Sequence, residues 1–309
     1  MQHPKTDENK LARRAARFKE PTVPCENPSK NNIDPRRDER SPNQSSYSDD
    51  EFNKQLIGTC ELLEKCYLRL TSAPKESDVR PKHVLIKSLE RVNEIWERTH
   101  DYRRASELLK AIRQDMTVQG IRDEFSIQVY EMHARLALQT LDHSEFNICQ
   151  SVLKALYNEV SPTLTNEDEF TAYRLLYYLF TRDISDLTAL MTELLLCRKN
   201  ERSDSIQHSL DVALAWLLGC QHRIFKLYTS APLHSSYVMN LFLPRERAAY
   251  FKILMKAYRP WVPITFITSE LAFIDDIQTL KFLEELGNVV FTDSSRTKID
   301  CKGTFESLK

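Results

Sequence analysis

A chain of 309 residues with only five glycines, all widely separated, cannot write a phosphate-cradling loop, which needs clustered glycines to bring backbone N–H groups to an anion. Lys and Arg total 43 against 44 Asp and Glu, so the net charge of −1 excludes a globally polybasic nucleic-acid binder and leaves any electrostatic role to a local patch. Apolar residues make up 41%, enough for a substantial core, yet no apolar run approaches the ~20 residues of a membrane helix.

Residues 1–52 hold six of the thirteen prolines and end in the polar run SPNQSSYSDD. Such a composition cannot bury enough surface to offset ordering entropy, so it predicts a disordered tail. Its polar start lacks the apolar core of a signal peptide. Two basic clusters, Arg13-Arg14 to Lys19 and Arg36-Arg37, read either as a solvated tail or as a nuclear-import or RNA-contacting arm.

Phe52, Leu56, Cys60, Leu63, Tyr67 and Leu70 recur at three- and four-residue spacing and predict a first helix over 53–70. Pro74 and Pro81 bracket a linker. Val84, Leu85, Leu89, Val92, Ile95 and Trp96 mark a helix beginning after Pro81, a favoured first-turn position. Further helices follow at about 102–115, 122–141, 143–158, 167–182, 184–198, 204–218 and 220–230, joined by short connections that imply antiparallel neighbours. Asp101-Tyr102, Asp142-His143 and Asp183-Ile184 recur at a period of about 40, with Gly219-Cys220 in a similar setting, which is the mark of a solenoid of helix pairs.

One more helix starts after Pro244. Beyond Pro260 the pattern gives helices at 264–273 and 275–286, then short strands at 288–291 and 298–301 joined by a loop at 292–297. Two helices closed by a β-hairpin form a winged helix, the loop being its wing. The expected organisation is therefore a tail (1–52), a TPR-like all-α solenoid (53–260), a winged-helix subdomain (261–303) and a short tail (304–309), the architecture of a PCI domain.

The seven cysteines, at 25, 60, 66, 149, 197, 220 and 301, include no C-x-x-C. They read as buried thiols in a reducing compartment, without zinc or disulfides. The eight histidines form no H-E-x-x-H. His133, beside Glu131, reads as a structural histidine, because nothing supplies a nucleophile or an oxyanion site. No catalytic, metal or cofactor site is expected. Arg113-Gln114-Asp115 and Arg122-Asp123-Glu124 flank Gly120 and read as inter-repeat salt links and caps, or alternatively as the lining of an RNA-facing concavity.

The local charge anomaly lies at 223–259, where seven cations stand against the single acid Glu246 among interleaved aromatics. Arg245, Lys252, Lys256 and Arg259 fall on one side of the helix after Pro244, a stripe suited to backbone phosphates, and Tyr250 is placed to stack on a base. Arg296, Lys298 and Lys302 on and beside the wing extend this candidate surface. The preceding helix carries Asp275, Asp276, Glu284 and Glu285 against Lys281, a charge that phosphate repels. Ile277, Leu280, Lys281 and Glu284 are instead the candidate partner face.

Several stretches resemble the SAC/GANP family of PCI-domain proteins: Arg80-Pro81 through Trp96, Lys110 to Arg122, Val129-Tyr-Glu-Met-His-Ala-Arg135, Glu145-Phe-Asn147, Glu169-Phe-Thr-Ala-Tyr-Arg174 and the run LYYLFT at 176–181. The Arg296-Thr-Lys-Ile-Asp-Cys301 wing fits the family's short branch of yeast Thp-type and animal leukocyte receptor cluster member eight proteins. The similarity covers about 55–305. It departs at Leu141, where glycine is expected, and at Met116, where leucine is. The resemblance implies a non-enzymatic nuclear subunit. It would pair with a second PCI-domain protein and a small acidic Dss/Sem-type peptide, and bind RNA or DNA during transcription, mRNA processing and export, with no membrane association. The alternative is a PCI scaffold without a nucleic-acid role, as in the proteasome lid, the signalosome or a translation-initiation assembly.

Overall fold

The computed structural model describes residues 56–160, 166–197 and 202–308. The expected disorder of 1–52 and the two basic clusters there lie outside the described residues. Thirteen α-helices and two short strands are described. The helices of the solenoid are α1 (Lys82–Thr99), α2 (Tyr102–Val118), α3 (Glu124–Gln139), α4 (His143–Glu159), α5 (Glu167–Thr181), α6 (Ile184–Cys197), α7 (Asp204–Leu217) and α8 (Gln221–Thr229). They are followed by α9 (Ser235–Asn240), α10 (Leu243–Ala257), β1 (Trp261–Pro263), α11 (Ile264–Glu270), α12 (Asp276–Leu286), β2 (Lys298–Asp300) and α13 (Cys301–Ser307).

A repeated turn sets the solenoid's period. Asp101 accepts from the backbone of Arg104, Asp142 from Glu145 and Asp183 from Asp186, so each aspartate of the sequence repeat begins a helix by satisfying an orphan N–H. The residue before each aspartate is left-handed: His100 (φ 50°), Leu141 (φ 60°) and Arg182 (φ 59°). Gly219 (φ 69°) takes the same place before Cys220. Glycine adopts that conformation without strain, whereas Leu141 does so at a steric cost. Successive helices from α1 to α6 pack on one another, α7 packs on α5 and α8 on α7, and together they form an all-α solenoid. A core cluster of Leu85, Val92, Ile95, Leu109, Ile112 and Met116 joins α1–α3, and a larger one runs from Ile127 to Cys301.

Among the described residues, 56–70 do not form the first predicted helix. Residues 56–75 form an irregular strap over α1 and α2, and its exposed leucines repeat with helical spacing by coincidence. Distant groups hold the strap. Gln119 Oε1 accepts from Gly58 N, the Arg80 guanidinium donates to Leu63 O, and Gln114 donates to Leu68 O. Gly58 is required by close approach, because a Cβ there would stand 2.1 Å from Val79 O. Arg80 is fully buried and pairs with Asp115 at 2.6 Å, while Lys65 reaches the same carboxylate at 2.8 Å.

The region after Pro260 also differs from the expected hairpin. β2 pairs antiparallel with β1, matching Trp261 with Asp300 and Pro263 with Lys298. Residues 288–291 make only one bridge, Phe291 to Ile299. Asp300 N still donates to Val290 O and Thr292 N to Lys298 O, but Thr304, buried on α13, takes Val290 N onto its hydroxyl. Residues 301–307 therefore form a docked helix instead of a tail. Helix α9, unanticipated, seats against α3, α5 and α10.

Buried thiols hold for Cys149 and Cys301, but Cys66 and Cys220 are exposed and Cys60 half-buried. The first two exceptions follow from position: Cys66 sits on the strap and Cys220 in a turn. Cys60, also on the strap, is tied to Val79 through its N–H.

Candidate nucleic-acid interface

Helix α10 presents Ala249, Lys252, Ile253 and Lys256 outward and buries Phe251, Leu254 and Met255. Neither lysine side chain has an ion-pair or hydrogen-bond partner among the described residues, so both ammonium groups stand in solvent. The other members of the expected stripe are engaged. Arg245 turns onto the C-terminus of α5, donating to Leu179 O (3.0 Å) and Phe180 O (3.1 Å), and pairs with Glu246 at 2.9 Å. A guanidinium there satisfies two orphan carbonyls and faces the negative end of the helix dipole. Arg259 closes its own helix by donating to Met255 O and Tyr258 O. Arg247, which the helical wheel leaves off the stripe, does the same for α11 through Leu271 O and Ala272 O while lying over Phe273.

Tyr250 is also occupied. Its ring stacks on Phe225 with centroids 5.7 Å apart, and its hydroxyl donates to Glu270, which also holds His222. Burial, then the Glu270 carboxylate, raises its phenol well above the ordinary range. The aromatic that is available instead is Trp261, 44% exposed, with the Lys298 ammonium 4.3 Å from its ring centroid. Sequence reading missed it, because the outward-inward-outward order of Trp261-Val262-Pro263 that exposes it shows only in the folded strand.

On the wing side, Lys302 is exposed. Arg296, left-handed at φ 54°, pairs with Glu284 of α12 at 2.5 Å and lies over Phe291. That contact joins a candidate phosphate ligand to a candidate partner residue. Of the other partner-face positions, Ile277 is 77% exposed and Lys281 is exposed, whereas Leu280 is half-buried against the core. Ile274, just before α12 and 87% exposed, adds to the face.

The residues carrying the family resemblance form a buried polar ladder between helices. Arg135 grips Glu169 with two hydrogen bonds of 2.7 and 3.0 Å. Burial opposes ionisation of Glu169, but Arg135 and the Tyr173 hydroxyl outweigh it and hold the carboxyl below its usual range. Glu131 accepts from Tyr157 and from Asn166, and Arg174 donates to Gln150. The expected salt links are present: Arg113 pairs with Glu145, Arg122 with Glu159, and Asp123 caps α3. The buried pairs Arg135–Glu169 and Arg113–Glu145 are compensated and fix helix register, whereas Arg122–Glu159 is an exposed link.

His133, Glu145 and Cys149 bring metal-ligating atoms within 4.8 Å of one another. Cations already saturate the group. Glu145 holds Lys110 at 2.9 Å and Arg113 at 2.5 Å, and Arg113 donates to the Cys149 sulfur at 3.0 Å. Burial, aided by Arg113 and Lys110, pushes His133 down to about 2, and burial pushes the Cys149 thiol up to about 12. A dication would meet two fixed positive charges and an unwilling thiol. The group is a structural node, with Ser106 Oγ 3.2 Å from His133 Nε2.

The sequence pattern of the SAC3/GANP family matches residues 44–291. Over 249 residues the chain is 46% identical to Leukocyte receptor cluster member 8 homolog of Xenopus laevis, covering 80% of this chain and 30% of that protein. It is 38% identical over 247 residues to a THP3 homolog of Schizosaccharomyces pombe, covering 80% and 61%. It is 36% identical over 266 residues to SAC3 family protein A of Arabidopsis thaliana, covering 81% and 26%. The chain thus spans between about a quarter and three-fifths of the length of these relatives.

Proposed function

The chain belongs to the SAC3/GANP family, and on that premise we propose that it is a non-enzymatic nuclear scaffold subunit of an mRNA-processing or export assembly. In this reading the region from β1 to α13 is a winged helix, and its α12 face, with Ile277 and Lys281 outward, packs against a second PCI-domain protein. A small acidic Dss/Sem-type peptide completes the assembly. Single-stranded RNA or DNA crosses the surface of α10 and the wing, with phosphates at Lys252, Lys256, Lys298 and Lys302 and a base on Trp261.

The observation that supports it most is the pair of unpaired lysines on α10, in a molecule where the buried Arg80 and the α10 arginines Arg245 and Arg247 are committed to acceptors. Charges without internal partners break no existing bond when they turn to a phosphate, and phosphate contact needs no base-specific geometry. Ile277 on α12 and Ile274 just before it, both exposed, suit burial against another protein.

The stripe is shorter than the sequence implied, since Arg245, Tyr250 and Arg259 are engaged. That favours a second reading, a PCI scaffold without a nucleic-acid role. Affinity purification of the tagged chain from nuclei separates the two. A second PCI protein with a small acidic peptide and RNA is the expected outcome. A proteasome-lid, signalosome or initiation assembly overturns the proposal.

A further inference from the structure

The strap leaves an unusual surface. Leu68 is 68% exposed, and Tyr67 and Leu70 stand beside it. Leu70 separates two cavities over α2. One, of about 270 Å³, is enclosed by Leu68, the turn at 71–75, Gln114 and Val118. The other, of about 340 Å³, is walled by Tyr67, Thr117, Tyr130 and Ile148. Leu70, Gln114 and Val118 belong to both. Among the described residues, no backbone N–H from Glu61 to Ala73 finds an acceptor. An exposed run of apolar side chains with unpaired main chain is what a peptide-binding edge offers: pockets for alternate side chains and donors for the main chain.

The charges indicate what fits. Lys65, Arg69, Lys75, Lys110 and Arg113 line the two cavities, against Asp78 and Asp115. Asp115 is consumed by Arg80 and Lys65. Arg69 and Lys75 are exposed and have no partner among the described residues, and the buried Nε of Arg113 has no acceptor. The exposed carboxylates nearby, Glu61 and Glu76, line neither cavity. Lys110 and Arg113 are spent on Glu145, so the charge left at the rim is Arg69 and Lys75 against the exposed Asp78, net positive.

We propose that the strap and α2 form a docking groove for an extended peptide segment of a partner protein, one that carries two large apolar side chains flanked by carboxylates. The apolar side chains fill the cavities on either side of Leu70, and the carboxylates meet Arg69 and Lys75. The groove is separate from α10, α12 and the wing, so it adds a third attachment point to the scaffold.

The test is to pan a phage-displayed library of random twelve-residue peptides against the full chain, and to measure binding of the synthetic consensus peptide by fluorescence polarisation. The expected consensus holds two large apolar residues with neighbouring Asp or Glu. The charge reversal Arg69→Glu with Lys75→Glu should weaken the peptide at least tenfold and Leu70→Ala at least fivefold, with melting temperatures unchanged. Lys252→Glu with Lys256→Glu should leave peptide binding as it is, which keeps this test independent of the RNA proposal. No enriched peptide, a basic consensus, or equal binding by wild type and the Arg69/Lys75 variant overturns the groove.

Discussion

The hydroxyl of Tyr102 donates to the carboxylate of Asp142 at 2.8 Å, across 40 residues of sequence. The first residue of α2 therefore ties to the cap of α4, and one repeat is locked to the next through the very position that defines the repeat. Burial, and then Asp142, raises the Tyr102 phenol far above its ordinary value. Tyr102→Phe should cost about 1 kcal/mol of stability, the net worth of one hydrogen bond. Asp142→Ala loses this bond and the cap together and should cost about 2 kcal/mol. Urea unfolding of both variants and the double variant should give a coupling energy above 0.5 kcal/mol or so; strict additivity would count against the link.

Leu141 adopts φ 60° while its side chain is 48% exposed, so it holds a strained backbone with little packing to offset the strain. Leu141→Gly should stabilise the protein by about 0.5–1 kcal/mol, less whatever flexibility it adds to the unfolded chain. Most surface leucines replaced by glycine would destabilise. A lowered melting temperature for this variant would contradict the account of the turn.

The buried histidine sets a pH dependence. His133 is pushed from its ordinary 6.5 to about 2, first by burial and then by Arg113 and Lys110. Below pH 6.5 the unfolded chain takes up a proton that the folded chain refuses. Stability is then complete above pH 6.5 and is lost as pH falls, at about 1.4 kcal/mol per pH unit for one proton. His234, also lowered mainly by burial, acts in the same direction. Unfolding free energies between pH 7 and 5 should fall for the wild type and fall less steeply for His133→Asn. Identical slopes would refute the assignment.

Arg245 and Lys252 lie on the same side of α10 but should behave differently. Arg245→Ala strips a guanidinium from three acceptors, two of them carbonyls of α5, and should cost about 2 kcal/mol or more. Lys252→Ala should leave stability within about 0.5 kcal/mol. Thermal melts of the two variants check the division of labour.

Local rules made much of this fold legible. The three aspartates of the repeat are caps, and a cap is a property of one residue and its next turn. Arg113, within α2, and Arg122, in the turn before α3, were readable as salt links because they flank the break at Gly120. The strap was not legible. Its leucines mimic a helical face, and what holds it out of a helix is Gln114, Gln119 and Arg80, all distant in sequence. The same limit explains the stripe. A helical wheel places Arg245 beside Lys252 but cannot know that α5 ends within reach of its guanidinium. β1 was invisible because a three-residue strand carries no period of its own, and so Trp261 went unnoticed.

We propose that nucleic acid is held by the uncommitted cations of α10 and the wing. The most direct test is binding of a single-stranded RNA to the purified complex containing wild type or Lys252→Glu with Lys256→Glu, measured from about 50 to 200 mM salt. The expected result is weaker binding and a log–log salt slope shallower by about 1.4, the value for two lost phosphate contacts on a single strand. Unchanged affinity and unchanged slope would contradict it.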